Sequence, residues 1–375
     1  MTNAIIGVLG VTGHVGQELL TLLKAAEQHP PVSIRLGGRN LSSYDKSCYE
    51  CVTVDLADTD SLSYFCQGCS VIVNCAGPSA LYGEAVMQAA VSAGAHCIDA
   101  FGGFGDESFH AIAAMVNQAP TLTLVTGAGV FPGLSEVLPK AIASHYFDQV
   151  EHLLVAAGGL EPCSWAGGSD LLASAIAGYG STDGKDRDQL MGFPAGIIAK
   201  PYQSNDFKRL AHSLCCEDAT WYSVFSSDKV PEVIALSCRK LAAERASGML
   251  TAPMLTSAVE PLIAVAEQEL VGRQTWYRMM VEVYGKVNGE SACHRAILSS
   301  TNSYGLTAYM LYHVLLQVLA GRVHPGHYPA DEVVDCYAVY ASLLTENSER
   351  SNLQYHLSHV ILPGIMNSAS EEGTL

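Results

Sequence analysis

The residues with the clearest chemical capacity lie at the start of the chain, in GVLGVTGHVG, residues 7–16. Four glycines sit three apart, at 7, 10, 13 and 16. An apolar strand, Ala4 to Leu9, runs into them. A helical pattern with Val15, Leu19, Leu20, Leu22 and Leu23 on its apolar face follows them. A glycine-rich strand-to-helix turn lets the backbone approach a pyrophosphate and aims free helix N–H groups at it. The spacing is GxxGxxG rather than GxGxxG, so the turn is one residue longer at its start. Gly10, Thr12, Gly13, His14, Val15 and Gly16 are the candidate phosphate contacts. Gly7 falls inside the strand and reads as a close-packing position.

The end of the second strand selects between dinucleotides. NAD-binding turns place an acid there, on the ribose 2′-hydroxyl. Here the position reads LGGRN, Leu36 to Asn40, with no acid. The guanidinium of Arg39 suits a 2′-phosphate by charge and by its fork of donors, with Asn40 beside it. Asp55, ending VTVD, is placed to accept from an adenine amino group or to cap its own loop. NCAGPSALYG, residues 74–83, ends the fourth strand, next to the first, where the nicotinamide end of a cofactor runs. Ala76, Gly77 and Pro78 would form a close-fitting backbone floor. CIDAFGG ends the fifth strand at the same edge and carries Asp99.

The elements that position these residues follow from periodicity. Strands are expected at VSIRLGG, VTVDL, SVIVNCAG, AHCIDA and TLTLVTGAG, with helices at 14–26, SLSYFCQ, 82–94 and 107–117. Such β-α-β alternation is the signature of a parallel sheet with helices on both faces. Near residue 130 the rhythm changes. VEHLLVAAGGL reads as a long strand, GGSDLLASAIAGYG as a helix capped by Ser169 or Asp170, and residues 180–215 as irregular. WYSVFSS is strand-like, and Asn288-Gly289 turns a hairpin. GLTAYMLYHVLLQVLAG is an amphipathic helix, His324 and His327 fall in a loop, and the last residues, NSASEEGTL, read as frayed. The expected fold is α/β: a Rossmann-type doubly wound parallel sheet, residues 1–130, plus an α+β substrate/dimerisation domain with a largely antiparallel sheet, residues 131–302. A helical segment, 303–365, completes the chain.

Composition narrows the class. The chain has 375 residues, 49% hydrophobic and only 15% charged, which suits extensive burial, as in an oligomer interface. A formal net charge of −17 repels phosphate backbones and anionic membrane surfaces, so neither nucleic acid nor membrane is an expected partner. No basic leader is visible, and a cytoplasmic protein is expected. Twelve cysteines include two CxxC pairs, Cys48/Cys51 and Cys66/Cys69. If these pairs flank strands three and four of a doubly wound sheet, two strands lie between them. Three gaps of about 4.8 Å then hold them roughly 14 Å apart, too far for one zinc ion. No metal site is expected, and the thiols read as reduced and mostly buried.

GVTGHVG, GGRN, NCAGPSALYGEAV, AAVSAGAHCIDAFG, PGLSEVLP and SYGLTAYM together resemble the saccharopine dehydrogenase/reductase-type NADP-binding family, closely over 4–140 and more loosely around 270–325. The resemblance implies NADP(H) as cofactor, a homodimer, and a late helix packing back on the Rossmann domain. It also implies reduction of a C=N bond in a small-molecule or carrier-tethered substrate. A short stand-alone branch of similar size is the thiazolinyl imine reductases of pyochelin-type siderophore assembly. The imine nitrogen needs a proton. The resemblance places Tyr304 near the cofactor, which makes it the first candidate donor or else a packing tyrosine. Asp99 is the second, as donor or orienting group. Two other classes fit the residues: a non-catalytic NADP sensor, and an enoyl or carbonyl reductase of a carrier-tethered or lipid substrate. Replacing Arg39 by Ala is expected to weaken NADPH binding by about 1.5–3 kcal/mol, the scale of a hydrogen bond to a charged group, and to leave NADH nearly unchanged. Titration with both cofactors checks this; equal losses would remove Arg39 from the 2′-phosphate.

Overall fold

The computed structural model describes residues 4–25, 32–101, 106–176, 180–181, 184–245, 250–345 and 355–363. The first part of the chain alternates as its periodicity predicts. It runs β1 (Ala4–Leu9), α1 (His14–Ala25), β2 (Val32–Gly38), β3 (Glu50–Thr53), α2 (Thr59–Cys66), β4 (Val71–Asn74), α3 (Ser79–Ser92), β5 (His96–Asp99), α4 (Asp106–Gln118) and β6 (Thr123–Thr126). All four residues of β4 are buried because helices cover both faces of the sheet. Alternate side chains go to opposite layers. Val71 and Val73 join the core on the α1 side, while Ile72 joins Phe65, Met87 and Ala90 from α2 and α3.

The chain then crosses to the second domain with α5 (Leu134–Tyr146), β7 (Gln149–Leu160), α6 (Trp165–Ile176), β8 (Gly180–Ser181), β9 (Ile198–Gln203), α7 (Asn205–Ser213), β10 (Asp218–Phe225), α8 (Lys229–Arg245), α9 (Ala252–Leu270), β11 (Trp276–Val287) and β12 (Glu290–Ser300). It returns through α10 (Ser303–Leu319), β13 (Gly326–Pro329), α11 (Ala330–Val333), α12 (Cys336–Thr345) and β14 (Tyr355–Pro363). Two seven-stranded sheets result. The first has the order β13-β6-β5-β4-β1-β2-β3 and is parallel throughout. The second has the order β14-β12-β11-β7-β10-β9-β8, antiparallel except for β7 against β10. β2 and β1 do stand between β3 and β4, and so between the two CxxC pairs.

Asn288 and Gly289 turn the β11–β12 hairpin with φ of 52° and 82°, the two positive values of a type I′ turn. One face of the second sheet packs Val155, Val281 and Leu298 into the core that holds α1, α5 and α10. The domains therefore share a hydrophobic core. α6, α8 and α9 form a separate helical layer around Leu172, Leu241 and Val259.

The structure differs from the sequence reading in four places. Residues 180–215 are irregular only in part: 184–197 hold turns and one isolated bridge, but β9 follows, and then α7 capped by Ser204 Oγ on the Phe207 amide. β9 was hidden by Pro201, which lies beyond the reach of its short neighbour β8. α6 starts at Trp165, so neither Ser169 nor Asp170 is its cap. The final segment, 303–365, is not purely helical, because β13 extends the first sheet and β14 extends the second. His327 therefore stands in a strand, its Nε2 2.9 Å from Thr126 Oγ1, rather than in a loop. The NSASEEGTL terminus lies outside the described residues.

Gly7 packs as a strand interior does. A Cβ there would meet Ile72 Cδ1 at 2.8 Å, with Cys69 Sγ and Phe65 Cε1 at 3.2 Å. Gly7→Ala is expected to cost about 1–3 kcal/mol of stability by overpacking, and to leave NADPH affinity unchanged once folded. Denaturant unfolding and cofactor titration of the same variant separate the two effects; lost binding without lost stability would contradict the packing role.

Candidate active site

The loops at the carboxyl ends of β1, β2, β4 and β5 open toward the second domain. A cavity of about 810 Å³ lies between them and the ends of β7, β10, α6 and α10. One end is the glycine turn. Gly10 has a φ of 82°, and a Cβ on it would lie 2.6 Å from the Ala76 amide nitrogen. Gly16 is equally closed, its Cβ position 2.4 Å from the Gly10 carbonyl. These two glycines let the turn fold onto β4. Gly13 differs: a Cβ built there has one neighbour within 4 Å, the Gly10 carbonyl at 3.3 Å. Its open side lines the cavity with Thr12, His14 and Val15. The first backbone bond within α1 runs from the Gln17 amide to the Gly13 carbonyl. The amides of the first turn remain available, as at any helix start. This cradle fits a pyrophosphate.

Arg39 is exposed and lines the same end with Gly38 and Asp55. Asp55 Oδ1 accepts from the Ala57 amide at 3.0 Å. Asn40 is turned away: its Oδ1 accepts from the Ser42 amide and hydroxyl at 3.1 and 2.8 Å. Tyr44 donates to the Val11 carbonyl at 2.8 Å and ties the loop after Arg39 to the glycine turn. Ala76 and Gly77 form part of the cavity floor, with Pro78 just behind, at the start of α3.

Asp99 is fully buried and is not among the lining residues. It accepts from Asn74 Nδ2 at 2.6 Å, the Phe101 amide at 2.8 Å and Ser79 Oγ at 3.1 Å. Burial raises its carboxyl to about 6 despite these donors. Its reach to the cavity runs through Asn74, which does line it. Tyr304 lines the cavity at the start of α10. Its ring stacks on His14, centroids 4.8 Å apart, and its hydroxyl donates to the Pro162 carbonyl. Burial, with Glu161 nearby, holds the phenol above its usual range.

The sequence reading missed the second-domain wall. Glu161, Asp170, Asp206 and Glu269 all line the cavity. Glu161 accepts from the Ser303 amide and hydroxyl, both at 2.7 Å, at the first turn of α10. Asp170 accepts from the Ser79 and Ala80 amides at 3.1 and 2.9 Å and so caps α3 from the other domain. Burial raises Asp170 to about 7 and pushes Glu161 and Asp206 up. Behind Asp206, burial and that neighbouring charge raise Glu136 to about 8. Glu161 had a legible signal, an acid at the carboxyl end of a strand, as at Asp99. The others had none.

Residues 6–122 match the family model of the saccharopine dehydrogenase NADP-binding domain. The first domain is thus an NADP-binding domain, similar over this span to that of saccharopine dehydrogenase. A probable mitochondrial saccharopine dehydrogenase-like oxidoreductase of Arabidopsis thaliana is 31% identical over 111 residues, 26% of this chain and 24% of that protein. A lipid droplet localized protein of Caenorhabditis elegans is 32% identical over 115 residues, 27% of each chain. The match thus spans about a quarter of these relatives. The fold extends further. Saccharopine dehydrogenase from Saccharomyces cerevisiae superposes with a TM-score of 0.67 at 12% identity, over 96% of this chain and all of that one. An engineered D-amino acid dehydrogenase bound to NADP+ gives 0.50 at 16% identity, over 92% and 97%. Over nearly its whole length the chain has the saccharopine dehydrogenase fold. Among the described residues, no helix is long and apolar enough to cross a membrane.

Gly13→Val should fold, because the position opens onto the cavity, yet lose NADPH affinity by ~100-fold or more, because the side chain takes the pyrophosphate's place. Calorimetric titration checks it; normal binding would reduce the glycine turn to a structural corner.

Proposed function

We propose that the protein is an NADPH-dependent oxidoreductase that reduces a C=N bond. One observation carries this reading. The cavity joins the dinucleotide cradle to a second-domain wall with three carboxylic acids that no cation neutralises directly, Glu161, Asp170 and Asp206, and no Lys or Arg is among the described residues that line that wall. Reducing a carbonyl or an enoyl group develops negative charge on oxygen, which calls for cations or aimed donors. A protonated imine carries positive charge instead. Carboxyls whose ionisation is held back by burial gain most from a cation entering beside them.

NADPH, when bound, supplies the hydride that reduces the imine carbon. The glycine turn, Gly10 to Gly16, would hold the pyrophosphate, Arg39 would take the 2′-phosphate without Asn40, whose side chain is held by Ser42, and Asp55 would face the adenine. Ala76, Gly77 and Pro78 support the nicotinamide. Asn74, held by Asp99, sets the geometry of that floor. Tyr304, its hydroxyl released from the Pro162 carbonyl, would give a proton to the nitrogen as hydride adds to the carbon and would regain it from water entering the cavity. The finer reading is reduction of a thiazolinyl imine in siderophore assembly, free or on a carrier protein. The resemblance to that short branch supports it.

Tyr304→Phe keeps the ring that stacks on His14 and should keep the fold and NADPH affinity. The rate of imine reduction should fall by roughly 10²–10⁴, the range for a lost general acid. The loss should shrink for substrates supplied as iminium ions, which need no donor. NADPH oxidation followed with neutral imines and matched iminium salts tests both points. An unchanged rate and pH profile would remove Tyr304 from the chemistry. Absence of turnover with every imine, against turnover of enones or ketones, would overturn the C=N reading.

A further inference from the structure

The cavity does not end at the acidic wall. It continues under the helical layer, where α8 presents Val230 and Ile234 and α9 presents Leu262 and Ala266, each an i,i+4 pair on one helix face. Leu171 of α6 and Phe225 at the end of β10 complete this lobe. Leu262 and Ala266 are nearly fully buried, while Val230 and Ile234 are half-covered and pack against the same cluster. The acid at this end, Glu269, is already matched. Lys229 Nζ lies 3.2 Å from one oxygen and Arg273 Nη1 2.9 Å from the other, and neither cation is among the lining residues. What remains for a ligand is apolar surface without a charge to answer.

The proposal deepens the C=N reading and rests on it for the reacting group. We infer that the substrate carries an apolar tail or ring system that fills the lobe under α8 and α9, and that it carries no free carboxylate. Apolar surface leaving water for this lobe supplies the affinity. A substrate carboxylate would be buried beside Glu161, Asp170 and Asp206, where no Lys or Arg is among the lining residues of that wall, and burying it there unpaired is costly. An amino-dicarboxylate ligand is therefore disfavoured here, although the fold is that of saccharopine dehydrogenase.

The test uses the full chain with NADP+ bound and three cyclic imines: methylpyrroline, octylpyrroline and pyrroline carboxylate. Binding is read by calorimetry, so turnover is not needed. Octylpyrroline should bind at least about tenfold tighter than methylpyrroline, because several buried methylenes separate them. Pyrroline carboxylate should bind weakest. Val230→Phe and Ile234→Phe each fill the lobe and should erase the octyl advantage while NADP+ affinity holds. Equal binding of the methyl and octyl probes by wild-type protein would overturn the proposal, and so would tightest binding of the carboxylate. Turnover of methyl octyl ketone and of the imines, measured with NADPH in place of NADP+, separates the two readings. If it is turned over while octylpyrroline is bound but never reduced, the lobe stands and the C=N chemistry falls. If all imines are reduced without regard to chain length, the chemistry stands and the lobe falls.

Discussion

Two carboxylates of the second domain hold the site together by sitting on helix N-termini. Asp170 places both oxygens on the first amides of α3, and Glu161 places both on Ser303 at the start of α10. A helix start leaves its first N–H groups without partners and carries partial positive charge, so an acid there is satisfied twice. α3 begins at the cavity floor formed by Ala76 and Gly77, and α10 packs against α1 behind the glycine turn. The same two contacts thus fix the second domain over both parts of the cofactor cradle. Removing either acid would leave buried amides open at the mouth of the cavity.

That clamp also sets the electrostatics of the cavity. At the first-domain end stand Arg39 and the unpaired amides of the α1 turn, which suit phosphate. At the other end stand the acids that close the clamp, joined by Asp206. The two ends of a cavity of about 810 Å³ thus differ in chemistry, with a cation and helix-start amides at one and carboxyl groups at the other. The architectural and chemical roles of Glu161 and Asp170 are one arrangement.

Legibility followed interaction range. The alternation of the first domain, its glycine turn and the I′ hairpin at Asn288-Gly289 were readable because each depends on residues within a few positions of one another. The elements that escaped depend on distant partners. β13 is four residues ending in Pro329, and it is a strand because the edge of β6 accepts it from about 200 positions away. β9 contains Pro201 and survives because β10 pairs along it while β8 stops short. α7 is strongly polar, so its Ser204 cap, rather than an apolar run, was the signal to read. Asp170 looked like a cap for its own helix and caps another one instead.

The sequence by itself determined the parallel sheet, the dinucleotide cradle and the absence of an acid at the end of β2. The glycine spacing of the first turn, the crowding of Gly16 on Gly10 and the hydrophobic period of each strand are local matters, written in neighbouring residues. Tertiary structure alone decided the substrate side. Glu161 meets Ser303 across 142 positions, Asp170 meets Ser79 across 91, and the pairs on α8 and α9 line one lobe only once both helices pack on α6. No local pattern encodes such meetings, because the free energy that holds them comes from burial and helix-end hydrogen bonds that exist only in the folded chain.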